Sequence, residues 1–220
     1  DAGHQPMDSY DCKFTIAFNG EIYNHLDLRH KLKKSLPKNF CWRGESDTET
    51  FITAISLWGV EEALNSSIGM FAFALWDHQK QELILARDRM GEKPLYFGRV
   101  DNAFLFASEL KSVAAFPSFN NKVSKSSLKG YLKYNYIPAP ASIYEDIYKL
   151  MPGSYAVFSK SHPIQFKTYW SSKKVFLNGS ENQFNDTSEA LSSLENHLSE
   201  AISSQIVADV PLGAFLSGGI

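Results

Sequence analysis

Asn19, Gly20 and Glu21 stand in a row inside the heptapeptide FNGEIYN. An Asn side-chain amide beside a glycine N–H offers two hydrogen-bond donors that can be aimed at one point, which is what stabilising an oxyanion demands. Glu21 adds a carboxylate able to take an ammonium group. The Asn-Gly dipeptide is equally the strongest short signal for a hairpin turn, and on residue type alone the turn is the better reading. Asp47, in SDTET, brings a second carboxylate with its own local explanation, since an acid in the first turn of a helix complements the dipole. Near the C-terminal end Ser217, Gly218 and Gly219 follow the apolar run Ala214, Phe215 and Leu216. A strand feeding a loop of bare backbone amides can hold an anion, although SGG alone is a common turn and no P-loop Gly-Lys-Ser/Thr accompanies it. Cys12 and Cys41 lack CxxC or Cys/His metal spacing and read as packed thiols.

The elements that position these residues follow from periodicity and punctuation. KFTIAF, residues 13–18, suits a strand leading into Asn19. Leu26, Leu28, Leu32 and Leu36 recur at helical spacing over residues 24–36, with His30, Lys31, Lys33 and Lys34 as a solvated face. Ser46 with Glu49 three residues on predicts a capping box that opens a second helix, striped by Phe51, Ile52, Ile55 and Trp58 and stopped at Gly59. Residues 69–76, 82–86, 95–97 and 103–107 read as an antiparallel meander. Residues 124–135 predict a helix ended before Pro138 and Pro140, and residues 155–158 a strand after the Pro152-Gly153 turn. Residues 171–189 are polar and read as a linker. Beyond them Leu191, Leu194, Leu198, Ile202 and Ile206 mark one helix face until Pro211 forbids continuation. The fold class is α+β: layered antiparallel sheets with helices over residues 1–170, the linker over 171–189, and the first helix and strand of a second domain over 190–220.

Composition narrows the partners. With 22 Lys and Arg against 24 Asp and Glu the net charge is -2, so no basic field draws nucleic acid. No stretch approaches the roughly 18–20 consecutive apolar residues of a membrane span, and the polar opening is unlike a signal peptide. A soluble, cytoplasmic protein is expected.

The ordered combination says more than any part of it. FNGEIYNHLDLR, SDTET, GMFAFALWD, ARDRMGEKPLYFG and FASELKSV follow one another in that order, and together they resemble the glutaminase domain of glutamine-dependent asparagine synthetases, class II glutamine amidotransferases of the N-terminal-nucleophile fold. DVPLGAFLSGGI is similar to the lead-in and start of the SGGxDS loop in that family's ATP-pyrophosphatase-type α/β domain. Residues 135–153, NYIPAPASIYEDIYKLMPG, look like members found in surface-polysaccharide gene clusters. The resemblance puts Asn19 and Gly20 at the oxyanion hole and Glu21 and Asp47 at the substrate glutamine, on its α-ammonium. It puts Leu216, Ser217, Gly218 and Gly219 at the ATP site, with backbone amides on the pyrophosphate and Leu216 near the adenine. Arg87, Asp88, Arg89, Glu92 and Lys93 also match, and such ion pairs near a strand turn read as structural.

The resemblance implies an enzyme, a glutamine-hydrolysing asparagine synthase. Glutamine is hydrolysed through a thioester, aspartate is activated with ATP and Mg²⁺ as the β-aspartyl adenylate, and ammonia attacks it to give asparagine. The family's nucleophile is an N-terminal cysteine expected some tens of residues before Asp1, with a carboxylate-gripping arginine also upstream. Cys12 and Cys41 fall on no catalytic position, so the chain as given is expected to run neither reaction. A homodimer is a further implication. The alternatives are an amidotransferase that aminates another carboxylate such as a sugar acid, a β-lactam-closing relative, and a non-catalytic glutamine-binding module. Retention of Asn19, Gly20, Glu21 and Asp47 argues against the β-lactam relative.

Overall fold

The computed structural model describes residues 3–206 together with Pro211 and Gly213. Leu216, Ser217, Gly218 and Gly219 lie outside the described residues. The chain divides into two compact units, Asp1–Ser172 and Lys173–Ile220.

In the first unit, strands β1 (Met7–Asp8), β2 (Phe14–Ile22), β3 (Gly69–Asp77), β4 (Glu82–Arg87), β8 (Ser154–Phe158) and β9 (Gln165–Thr168) form one sheet, in the order β1-β2-β3-β4-β8-β9. Strands β5 (Tyr96–Val100), β6 (Ala103–Ala107) and β7 (Ile147–Lys149) form a second sheet in the order β6-β5-β7. Helices α1 (His25–Leu32), α2 (Asp47–Trp58) and α3 (Val60–Ser66) contribute to the core on one face of the larger sheet. The stretch from residue 69 to 107 is therefore not a single meander. Strand β4 leaves the sequence-adjacent β5 and pairs with β8, Leu83 opposite Phe158 through Ala86 opposite Tyr155.

The sorting of side chains on β3 explains the layers. Phe71, Phe73 and Leu75 face the helices with Phe51, Ile52 and Ile55, while the small Ala72 and Ala74 alternate onto the other face and pack with Leu95, Phe97 and Phe158. Both faces are covered, so β3 reads as a continuous apolar run rather than an alternating one. The stripe expected on α2 is the one buried, apart from a half-buried Trp58. In α1, Leu28 and Leu32 turn inward and Leu26 outward.

A buried polar knot ties the sheets together. Asp88, just past β4, is 1% exposed, and its carboxylate accepts from the amides of Phe71, Glu92 and Lys93 at 3.0–3.2 Å. The Arg87 guanidinium donates to the carbonyls of Lys93, Leu150 and Gly91. Burial lowers the guanidinium pKa, partly offset by the Asp88 charge. Tyr169 donates its hydroxyl proton to the Arg87 carbonyl at 2.9 Å, and burial raises that phenol's pKa.

Three local expectations are corrected. Cys12 and Cys41 are exposed free thiols, with Cys12 held at φ 54° in the turn that follows β1. Glu49 does not close a capping box. Its buried carboxylate accepts from the amides of Arg43 and Gly44, and Ser46 caps α2 by accepting from the Thr48 amide. Residues read as linker carry helix α6 (Ser172–Glu181). In the second unit α7 (Thr187–Gln205) presents Leu191, Leu194, Leu198 and Ile202 exposed along one side. Two further helices belong to the first unit, α4 (Leu110–Ala114) and α5 (Lys125–Tyr134), the latter capped by Ser124. Among the described residues no helix is long and apolar enough to cross a membrane.

Asp88→Ala leaves three backbone amides without their acceptor. A loss of about 3–5 kcal/mol is expected in urea denaturation. Lys111→Ala, at an exposed surface pair, is the control expected to leave the midpoint unchanged.

Candidate active site

Strand β2 carries the site, and its alternation sorts the groups. Side chains of Ile16, Phe18 and Ile22 are buried toward the helices, while Ala17, Asn19 and Glu21 are exposed on the other face. Backbone groups alternate too. The Tyr23 amide donates across to the Ile68 carbonyl on the β3 side at 2.8 Å, and on β3 the Phe71 N–H and C=O are both used on the β4 side, by Asp88. Gly20 is the partner of Phe71 in register, so this pair exchanges no ladder bonds and the Gly20 N–H points to the outer edge of β2.

That edge is almost bare. Strand β1 covers only Thr15 and Ile16. Beyond it the Phe18 amide donates to the Gln5 Oε1 at 2.6 Å and the Ile22 amide to the Asp47 Oδ2 at 2.8 Å. Two side chains thus close the edge on either side of Gly20.

The glycine is dictated by close approach, not by a turn. A Cβ on residue 20 would lie 2.1 Å from the Met70 carbonyl oxygen, and its φ of 150° is one that side-chain-bearing residues rarely adopt. On the facing strand a Cβ on Gly69 would lie 2.1 Å from the Glu21 carbonyl oxygen. The hairpin reading of Asn19 and Gly20 is therefore overturned: both sit within a paired strand, Asn19 opposite Ala72 and Gly20 opposite Phe71.

Asn19 projects from the face of β2 that carries Ala17. Its Nδ2 donates to the Ser108 Oγ at 3.1 Å, from a residue just past β6. Beside it opens a cavity of about 180 Å³ whose lining includes Gln5, Ala17, Asn19, Phe106 and Ser108. A larger concavity of about 790 Å³ runs along α3, β4, β8 and β9 and contains none of the predicted site residues.

Asp47 opens α2, yet it does more than complement the helix. One oxygen accepts from the Thr48 amide at 2.6 Å and the other from the Ile22 amide, so it is fastened to the residue after Glu21. What holds it there lies under α2. Arg29 donates to the Thr50 hydroxyl and to the carbonyls of Gly44 and Ser46, lies 4.2 Å over the Trp42 ring, and faces the Glu49 carboxylate at 4.0 Å. Asn24 ties the end of β2 to the start of β3, donating to the Ser66 carbonyl and accepting from the Ile68 amide. The surroundings are acidic: burial raises the Tyr23 phenol pKa, and the negative charges of Glu92, Glu21 and Asp88 raise it further.

The structure thus brings Asn19, Gly20, Glu21 and Asp47 to one end of β2. Gln5, Ser108, Arg29 and Asn24 complete the arrangement, and residue type alone marked none of them. Arg29 and Ser108 did lie within segments that resemble the family. Among the described residues no group of His, Cys, Asp or Glu side chains could hold a metal ion.

A glutamine amidotransferase domain family matches residues 1–170, and an asparagine synthase family matches residues 193–220. Glutamine-hydrolyzing asparagine synthetase 1 of Bacillus subtilis (strain 168) is 32% identical over 218 residues, covering 99% of this chain and 33% of that protein. Glutamine-hydrolyzing asparagine synthetase 3 of the same organism is 31% identical, covering 100% of this chain and 34% of that protein. The chain spans about a third of the length of these curated relatives. Among solved structures, glutamine phosphoribosylpyrophosphate amidotransferase from B. subtilis superposes with a TM-score of 0.52 at 19% identity, over 75% of this chain and 31% of that one. That likeness shows the fold, an α+β architecture of layered antiparallel sheets and helices.

The clamp of Asp47 on β2 is testable without turnover. In Asp47→Ala the Ile22 amide is expected to exchange its hydrogen at least about tenfold faster, with the Leu75 amide unchanged. Unaltered exchange at Ile22 contradicts the clamp.

Proposed function

We propose, since the chain belongs to the glutamine amidotransferase domain family, that it forms the glutamine-hydrolysing part of an asparagine synthetase. The observation that carries this reading is the bare stretch of β2 edge at Gly20, with the Asn19 amide one residue away.

In this reading the side-chain carbonyl of glutamine lies against the Asn19 Nδ2 and the Gly20 N–H. Attack by the thiol of an N-terminal cysteine, contributed from outside the described residues, pushes charge onto that oxygen. Two donors already in place meet the charge without reorganisation, and each such donor lowers the barrier by about 2.7–4 kcal/mol. Collapse of the tetrahedral adduct expels ammonia and leaves a thioester, which water hydrolyses to glutamate. Glu21, exposed and carrying no hydrogen bond or ion pair of its own among the described residues, takes the α-ammonium. Asp47 adds negative charge to the same end of the strand while holding the Ile22 amide.

The released ammonia is proposed to attack aspartate activated by ATP as its β-aspartyl adenylate in the second domain, so that the new C–N bond replaces the acyl–phosphate bond and AMP leaves. Leu216, Ser217, Gly218 and Gly219 are proposed to meet ATP there. Among the described residues no group of His, Cys, Asp or Glu side chains could hold Mg²⁺.

The experiment is a pair of assays on the full-length protein with its N-terminal cysteine. Asn19→Ala should lower kcat for glutamine hydrolysis by about 10²–10³-fold, while asparagine formation from supplied ammonia keeps its rate. Equal losses in both assays, or no loss of glutaminase rate, would contradict the assignment.

A further inference from the structure

We propose that Ser108 is a positioning residue for glutamine hydrolysis, acting only through Asn19. The inference rests on the oxyanion reading of Asn19.

An oxyanion donor has to be held still. The terminal torsion of an Asn side chain is broad, and Asn19 is exposed on its strand face. The Ser108 hydroxyl supplies that constraint at 3.1 Å. One Nδ2 proton points at Ser108, and because the amide is planar the other is directed about 120° away, off the Ser108 contact. Loss of the Ser108 oxygen releases the plane. The donor then has to be re-aimed at each turnover, and a flipped amide would present its oxygen to a developing negative charge.

Ser108 is well placed for this task because both its flanks are anchored. Ala107 is paired with Tyr96 at the end of β6, and α4 begins two residues later, pinned by Val113, which is 2% exposed. The partners are 89 residues apart in sequence, Asn19 within the larger sheet and Ser108 directly after β6 of the smaller one. The three-stranded sheet thereby contributes to a site otherwise built on the larger one.

The test is a double-mutant cycle on glutamine hydrolysis by the full-length protein, with thermal unfolding as the check on folding. Ser108→Ala should lower kcat about tenfold with KM within about twofold, and Ser108→Thr, which keeps the hydroxyl, should restore most of the rate. In an Asn19→Ala background Ser108→Ala should cost less than about twofold more, because its only route of action is gone. A Ser108→Ala enzyme with unchanged kcat, or losses that multiply in the double variant, would overturn the inference while leaving the Asn19 assignment standing. An Asn19→Ala enzyme with unchanged kcat would overturn both.

Discussion

The Met70 carbonyl oxygen occupies the place where a side chain on residue 20 would begin. Everything else at the site depends on that contact. It forces glycine at residue 20 and lets β2 and β3 run together at close range as far as Ile22 and Gly69. With the pairing continuous, the strand's alternation is continuous, so the amides of Phe18, Gly20 and Ile22 share one edge and the side chains of Ala17, Asn19 and Glu21 share one face. Gln5 and Asp47 then close the edge on either side, and Ser108 reaches Asn19 from the second sheet. A donor pair one residue apart, backbone and side chain, results from the alternation of the strand.

Residues that match the family also hold the fold together. Arg87 and Asp88 spend their charged groups on carbonyls and amides of the 91–93 turn, Leu150 and Phe71. Satisfying buried backbone groups with buried ions is worthwhile only when every partner is in place, which makes such a knot intolerant of change. It keeps the end of β3 where Gly20 needs it, since the same Phe71 that faces Gly20 is fastened to Asp88.

Much of this fold was legible in the sequence because periodicity is local. The α2 stripe of Phe51, Ile52 and Ile55, the strand runs of 69–76 and 155–158 and the helix within 124–135 all follow from spacing that a short window contains. The failures share one cause. Asn19-Gly20 looks like a turn until Met70 is seen beside it, and Glu49 looks like a capping residue until the loop at Arg43 and Gly44 folds over it. The split of β4 from β5 depends on Ala72 and Ala74 being small enough to admit a second sheet. Of the candidate site, the resemblance located Asn19, Gly20, Glu21 and Asp47. Gln5 and Ser108 become visible only through contacts, because glutamines and serines are among the least specific letters a sequence contains.

The most direct measurement is a crystal structure of the full-length protein reacted with a glutamine-derived diazoketone, which leaves the substrate carbon chain joined to the nucleophilic cysteine. The account predicts the ketone oxygen about 3 Å from both the Asn19 Nδ2 and the Gly20 nitrogen, with the α-ammonium on Glu21 beside Asp47. A ketone oxygen turned away from β2, with the Gly20 N–H bonded to protein instead, would contradict it.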